Sequence, residues 1–244
     1  MIADMKKSSI FATLTLASAA FAAHAQFLEM NISADCNQNL QTFTDGSDYA
    51  FGGTQFNVGG VPFSLSLLDN LPDTTGVVQT PADDQSYTFT VPSGVYATAI
   101  FTLMNTAWGE PGVDEGSILV TGSHGETAML DLTEGVNIRD HYNGYFVNSL
   151  SDSTVMSTGF KNHSINPKGS VRLDRQELVL PSSFNGDTLS SITFDGVDHG
   201  EPNGDPFLAG MTLAVVPEPS PYLLFALGAL VLGARLTRQD DRRD

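Results

Sequence analysis

Cysteine is nearly missing from this chain: Cys36 is the single one in 244 residues. No disulfide can form within the molecule, so stability has to come from a hydrophobic core or from bound ions. Bases are scarce as well. Residues 26–216 hold five of them, Arg139, Lys161, Lys168, Arg172 and Arg175, against twenty-three acids. A surface of that sign repels phosphate backbones and anionic lipid, which counts against nucleic acid and lipid headgroups as partners. It suits solubility outside a cell and offers oxygen ligands to divalent cations, although a solvated acidic surface accounts for most of these carboxylates.

Signatures of catalysis are also lacking. There is no Gly-x-Ser-x-Gly elbow, no His-Glu-x-x-His and no phosphate-binding glycine loop. Ser123 and His124 are neighbours on a Gly122–Gly125 turn, where adjacent residues seldom form a nucleophile–base pair. A glycosidase needs two carboxylates about 5–10 Å apart, and so many acids make such a pair uninformative. The expectation is a protein that is not an enzyme. Residues 26–216 also carry no long amphipathic helical pattern.

What is present begins with the two ends. Lys6 and Lys7 precede an apolar run over 10–21, and Ala23-His24-Ala25 places small residues, Ala23 and Ala25, at both recognition positions of a signal-peptidase site. Residues 1–25 therefore read as a secretion signal, with the mature chain starting at Gln26. At the other end Pro217-Glu218-Pro219 leads into an apolar stretch over 222–234, followed by Arg235, Arg238, Arg242 and Arg243. That stretch approaches the length of a spanning helix when its flanks are counted, and the arginines belong on the cytoplasmic side.

This tail, 217–244, resembles the PEP-CTERM sorting signal in its order: the Pro-Glu-Pro motif, a hydrophobic helix and a basic cluster. The resemblance implies recognition by an exosortase in a Gram-negative bacterium, a transient inner-membrane anchor, and delivery to the cell surface or an exopolysaccharide matrix. Contact with the membrane is then expected only through the C-terminal segment.

The part between the signals, 26–216, has room for one domain and reads as all-β. Tyr87, Phe89 and Val91 alternate with Ser86, Thr88 and Thr90, the period of a strand with one wet face. Similar segments predict strands over 54–58, 61–67, 86–91, 96–104, 117–121, 127–132, 154–160, 172–180, 190–194 and 209–215. Dense turn signals such as Gly59-Gly60, Asn143-Gly144 and Asn185-Gly186 separate them. The polar stretch 31–47 reads as a lead-in or an edge strand. Many short strands at regular spacing predict a single β-sandwich, jelly-roll-like in type.

Three stretches, 52–63, Asn105-Thr106-Ala107-Trp108-Gly109 and Asn137-Ile138-Arg139-Asp140-His141, resemble uncharacterised secreted jelly-roll proteins and the NPCBM-like carbohydrate-binding modules attached to glycosidases. The resemblance implies a fold and a glycan ligand, and carries no ligand residue over to a named position.

Two regions hold candidate binding chemistry. Asp195, Asp198, Glu201, Asn203 and Asp205 put five oxygen-bearing side chains in one glycine-rich loop. Calcium takes six to eight oxygens, so this loop is a candidate structural calcium site, or else an ordinary acidic turn; no cofactor is otherwise required. The second region joins Asn105 and Trp108 to Arg139, His141, Tyr142 and Tyr145. Trp108, the one tryptophan, either stacks on a sugar face or is buried at the sandwich rim. Asn105 either caps that corner or meets a ligand. Arg139 either grips a ligand carboxylate or pairs with an acidic neighbour. Tyr142 and Tyr145 either line a sugar groove or pack. Arg172 and Asp174 sit alternately on one strand face and are expected to pair.

The function these features suggest is a non-catalytic, exopolysaccharide-associated binding module. A secreted polysaccharide-active hydrolase and a self-associating matrix component are the alternatives.

Overall fold

The computed structural model describes residues 26–39, 55–65, 67–68, 71–79, 86–142, 150–152, 155–157, 171–197 and 204–216. The expected secretion signal (1–25), the expected sorting tail (217–244), Tyr145, Asp198, Glu201 and Asn203 lie outside these residues. Among them the chain is all-β: fourteen strands and two short 3-10 turns, and no helix long and apolar enough to cross a membrane.

In chain order the strands are β1 (Gln26–Met30), β2 (Gln38–Asn39), β3 (Gln55–Val58), β4 (Val61–Ser64), β5 (Leu67–Leu68), β6 (Leu71–Gln79), β7 (Ser86–Thr90), β8 (Ala97–Ala107), β9 (Asp114–Gly122), β10 (Thr127–Thr133), β11 (Met156–Ser157), β12 (Asp174–Val179), β13 (Leu189–Gly196) and β14 (Asp205–Val215). They pair antiparallel. The larger sheet runs β11-β12-β8-β14-β6-β2, with β1 added on β14 and β5 on β6; the smaller runs β10-β9-β13-β7. β3 and β4 form a separate hairpin, closed by Gly59 and Gly60, both in the left-handed region that a two-residue hairpin turn demands.

The two larger sheets share one core. Ile100 and Met104 of β8 and Leu208, Met211 and Leu213 of β14 meet Phe89, Ile118, Val120, Ile192 and Phe194 of the smaller sheet. Each such side chain, taken fully from water, contributes about 1.5–3 kcal/mol. The alternate residues of the central strands face the other way. Ala99, Phe101 and Leu103 with Phe207 and Ala209 pack against Val58, Val61 and Phe63 of the hairpin and against Leu173. The central strands are thus covered on both faces, which is why β8 is a nearly unbroken buried run rather than a clean alternation. Thr212 Oγ1 donates to the Pro62 carbonyl at 2.7 Å and ties the hairpin to β14.

β14 could not bury Leu208 and Met211 in the same core by strict alternation. The register against β8 slips between Leu208 and Gly210, and this bulge inserts the extra residue that returns Met211 to the inner face. The pairing of β14 with β8 also fixes the long axis. Ala97 lies opposite Val215 and Ala107 opposite Asp205. At about 3.4 Å per residue, the two ends of β14 are roughly 34 Å apart.

Candidate functional site

Of the residues singled out in the sequence, Asn105, Trp108, Arg139, His141, Tyr142 and Asp205 gather at the Asp205 end of β8 and β14. Thr106 bridges in parallel to Asp140; its N–H donates to the Arg139 carbonyl, and the His141 N–H donates back to the Thr106 carbonyl, both at 2.9 Å. The stretches 105–109 and 137–141 are therefore neighbours in space, thirty-odd residues apart in sequence. Asp205 joins them through its register with Ala107.

A buried ion-pair network holds this corner. Arg139 Nε donates to Asp174 Oδ2 at 3.1 Å, with the two side chains 1% and 0% exposed. Arg172 Nε donates to the same oxygen at 3.1 Å. Asn105 completes the set: its Nδ2 donates to Asp174 Oδ2 at 2.9 Å and its Oδ1 accepts the Asp174 N–H at 2.9 Å. Burial pulls the Arg139 guanidinium below its ordinary value, and the Asp174 charge opposes that pull. His141 and Tyr142 are buried too. Their rings lie 4.3 Å apart, and His141 meets the Phe207 ring edge-on at 5.7 Å. Asn105, Arg139, His141 and Tyr142 are thus all enclosed, and Arg139 and Arg172 both pair with Asp174.

Trp108 differs from its companions. It is half-buried, and it is the one non-glycine residue with a left-handed backbone among those described, φ 62°. That conformation is disfavoured for an L-residue by about 1–2 kcal/mol. Asp140 holds it: Oδ2 accepts the Trp108 N–H and Oδ1 the Tyr142 N–H, each at 2.7 Å. Burial raises the Asp140 carboxyl to about 7, against the lowering effect of those N–H groups.

Beside Trp108 lies a group of acids that the sequence did not mark. Glu115 and Glu134 are buried within the fold. Burial first, then the charges of Glu134, Asp205 and Asp114, push Glu115 up to about 9. Burial and the Asp140 charge raise Glu134 to about 8, while a bond from Thr106 and the charge of Arg139 act the other way. In the sequence each acid precedes a glycine, Glu115-Gly116 and Glu134-Gly135, and so looks like a turn residue; nothing there separates them from exposed acids.

Of the anticipated calcium loop, two members are described, and they part company. Asp195 is exposed on β13, where its Oδ1 accepts from Ser86 Oγ at 2.5 Å. Asp205 is half-buried at the start of β14 and faces Glu115.

A second polar cluster sits at the β9–β10 turn. Ligand atoms of His124, Glu126 and Asp187 lie within 4.8 Å of one another. His124 Nδ1 is 2.6 Å from Asp187 Oδ1, and Ser123 Oγ donates to that same oxygen. These bonds draw the Asp187 carboxyl far below its usual range, the Ser123 bond foremost. Ser123 and His124 both bond Asp187, His124 through Nδ1, so the three do not form a relay in which the ring links serine to carboxylate.

Comparison with protein-family models, with curated proteins and with solved structures finds no match for this chain.

Proposed function

We propose that this chain is an exported surface or matrix protein whose jelly-roll-like β domain is a non-catalytic module for extracellular polysaccharide, with Trp108 as its contact. Export and sorting rest on residues 1–25 and 217–244. Signal peptidase and exosortase are the processing partners, in a Gram-negative host. Antiparallel pairing and two sheets over one core support the jelly-roll reading.

The observation that carries the binding role is the strained, half-buried Trp108, clamped by Asp140 at the end of β14 opposite Val215. Strain of this kind persists where the surroundings over-determine it, and it clusters at ligand clamps. Trp108 follows the end of β8 that pairs with Asp205, and Val215, which precedes the proposed sorting tail, is the other end of β14. A flat indole there suits a sugar face.

A hydrolase would need carboxyls with raised pKa, and Glu115 and Glu134 have them. Their burial weighs against that role, because a group that works on a glycosidic bond must touch it. A glycan array probed with the exported protein tests the proposal. Binding to a polysaccharide class, weakened at least tenfold in Trp108→Ala, is expected; no binding with or without calcium would count decisively against it.

A further inference from the structure

Glu115 and Glu134 are 0% and 1% exposed. Neither Glu115 oxygen has a hydrogen-bond partner, nor does Oε1 of Glu134, whose Oε2 accepts from Thr106 Oγ1 at 2.8 Å. Buried polar atoms in folded proteins are nearly always satisfied, and an unpaired buried carboxylate costs several kcal/mol. Three unpartnered oxygens on two buried carboxyls that feel each other's charge call for a ligand.

The backbone is cut to fit these carboxyls. A Cβ on Gly109 would lie 2.3 Å from the Glu134 carboxyl, and one on Gly204 would lie 2.2 Å from Glu115 Oε1. Only glycine lets each carboxyl lie flat against the chain. Asp205, directly after Gly204, adds a third negative group facing Glu115, and Asp114 a fourth. The base that acts on Glu134 is Arg139, and Arg139 is held by Asp174.

We propose that Glu115 and Glu134, with Asp205, form a calcium site that locks β9, the end of β10 and β14 together beside Trp108. The donors are all carboxylate oxygens, the set a hard cation selects and one that zinc or copper, which favour nitrogen and sulfur, does not. The ligand atoms of these three stand further apart than those of His124, Glu126 and Asp187, which gather within 4.8 Å; a cation would draw them in. In that trio His124 and Asp187 are bonded to each other, whereas neither oxygen of the Glu115 side chain has a partner. The site keeps Asp205 from the loop read in the sequence and leaves out Asp195. It stands independently of the polysaccharide reading.

The test is a thermal melt and a calorimetric titration of the full chain in mild detergent, first in chelator and then with calcium chloride. At a hundredfold excess over Kd the expected rise in Tm is about 5–10 °C. Glu115→Gln should abolish most of that rise and weaken binding at least tenfold, while melting in chelator no lower than the parent, because the amide cannot ionise in its buried position. Gly109→Ala, which crowds the Glu134 carboxyl, should also weaken binding. Asp195→Asn should respond like the parent. No rise with millimolar calcium, or an undiminished rise in both Glu115→Gln and Gly109→Ala, overturns the site.

Discussion

Gln26 stands directly opposite Val215 in the β1–β14 register. The residue after the expected signal-peptidase cut and the last strand residue before the proposed sorting tail are thus antiparallel partners at one end of β14. Intact mass and terminal sequencing of the protein taken from its producing cells should give Gln26 as the first residue and a chain shortened or anchored beyond Val216. An N-terminus that retains residues 1–25 would remove the basis for export.

The ion pair under Trp108 predicts a sharp asymmetry. Arg139→Ala leaves Asp174 buried with half its compensation gone and should cost about 3–5 kcal/mol. Arg172 bonds the same carboxyl from a side chain 20% exposed, so Arg172→Ala should cost about 1–2 kcal/mol. Urea denaturation of the two variants against the parent measures the difference; equal costs would mean that Asp174 does not depend on Arg139.

Much of the fold was legible in the sequence, and the losses have physical causes. Nine of the ten predicted segments overlap described strands, because alternation and turn residues report a half-wet sheet directly; of 154–160 only Val155 and β11, Met156–Ser157, lie within the described residues. β6 was missed because Pro72, Asp73 and Gly76 read as turn residues. β8 continues through Asn105 and Thr106, which read as loop because polar residues in a strand look wet; here Asp174 and Glu134 satisfy them. The pairing of Arg172 with Asp174 followed from strand periodicity. Glu115 could not be found in the same way, since burial of an acid is decided by residues distant in the chain, here Glu134 and Gly204.

Gly116 should be intolerant of any side chain. Its φ is 105°, and a Cβ there would lie 1.9 Å from the Asp195 carbonyl oxygen on the paired strand. That atom is backbone and cannot swing aside. Gly116→Ala should cost more than about 3 kcal/mol and open the β9–β13 pairing, visible as faster amide exchange along Leu189–Gly196. Gly125→Ala, with open space around its Cβ, should cost only its backbone strain of about 1 kcal/mol.

Stability should depend on pH in a direction set by the buried acids. In the folded protein Glu115 and Glu134 are raised from 4.5 to about 9 and about 8. A carboxyl with a raised folded pKa contributes stability fully below its unfolded value and loses it as pH rises through the folded one. In chelator, Tm should therefore fall by several degrees between pH 5 and pH 9. Asp114, Asp205, Asp140 and Arg139 face these groups and shape the curve. Glu115→Gln should flatten it. A Tm that rises over this window would contradict the assignment.

The proposed polysaccharide contact is Trp108, at the end of β8 that pairs with Asp205. Trp108→Gly tests it most directly, since glycine adopts the left-handed backbone without strain and so offsets part of the lost packing. Binding of the parent and the variant to polysaccharide from the producing cells should be compared in calcium-containing buffer. The account predicts saturable binding by the parent and at least a tenfold loss in the variant with the melting transition retained. Equal binding by the two, or none by the parent, would contradict it.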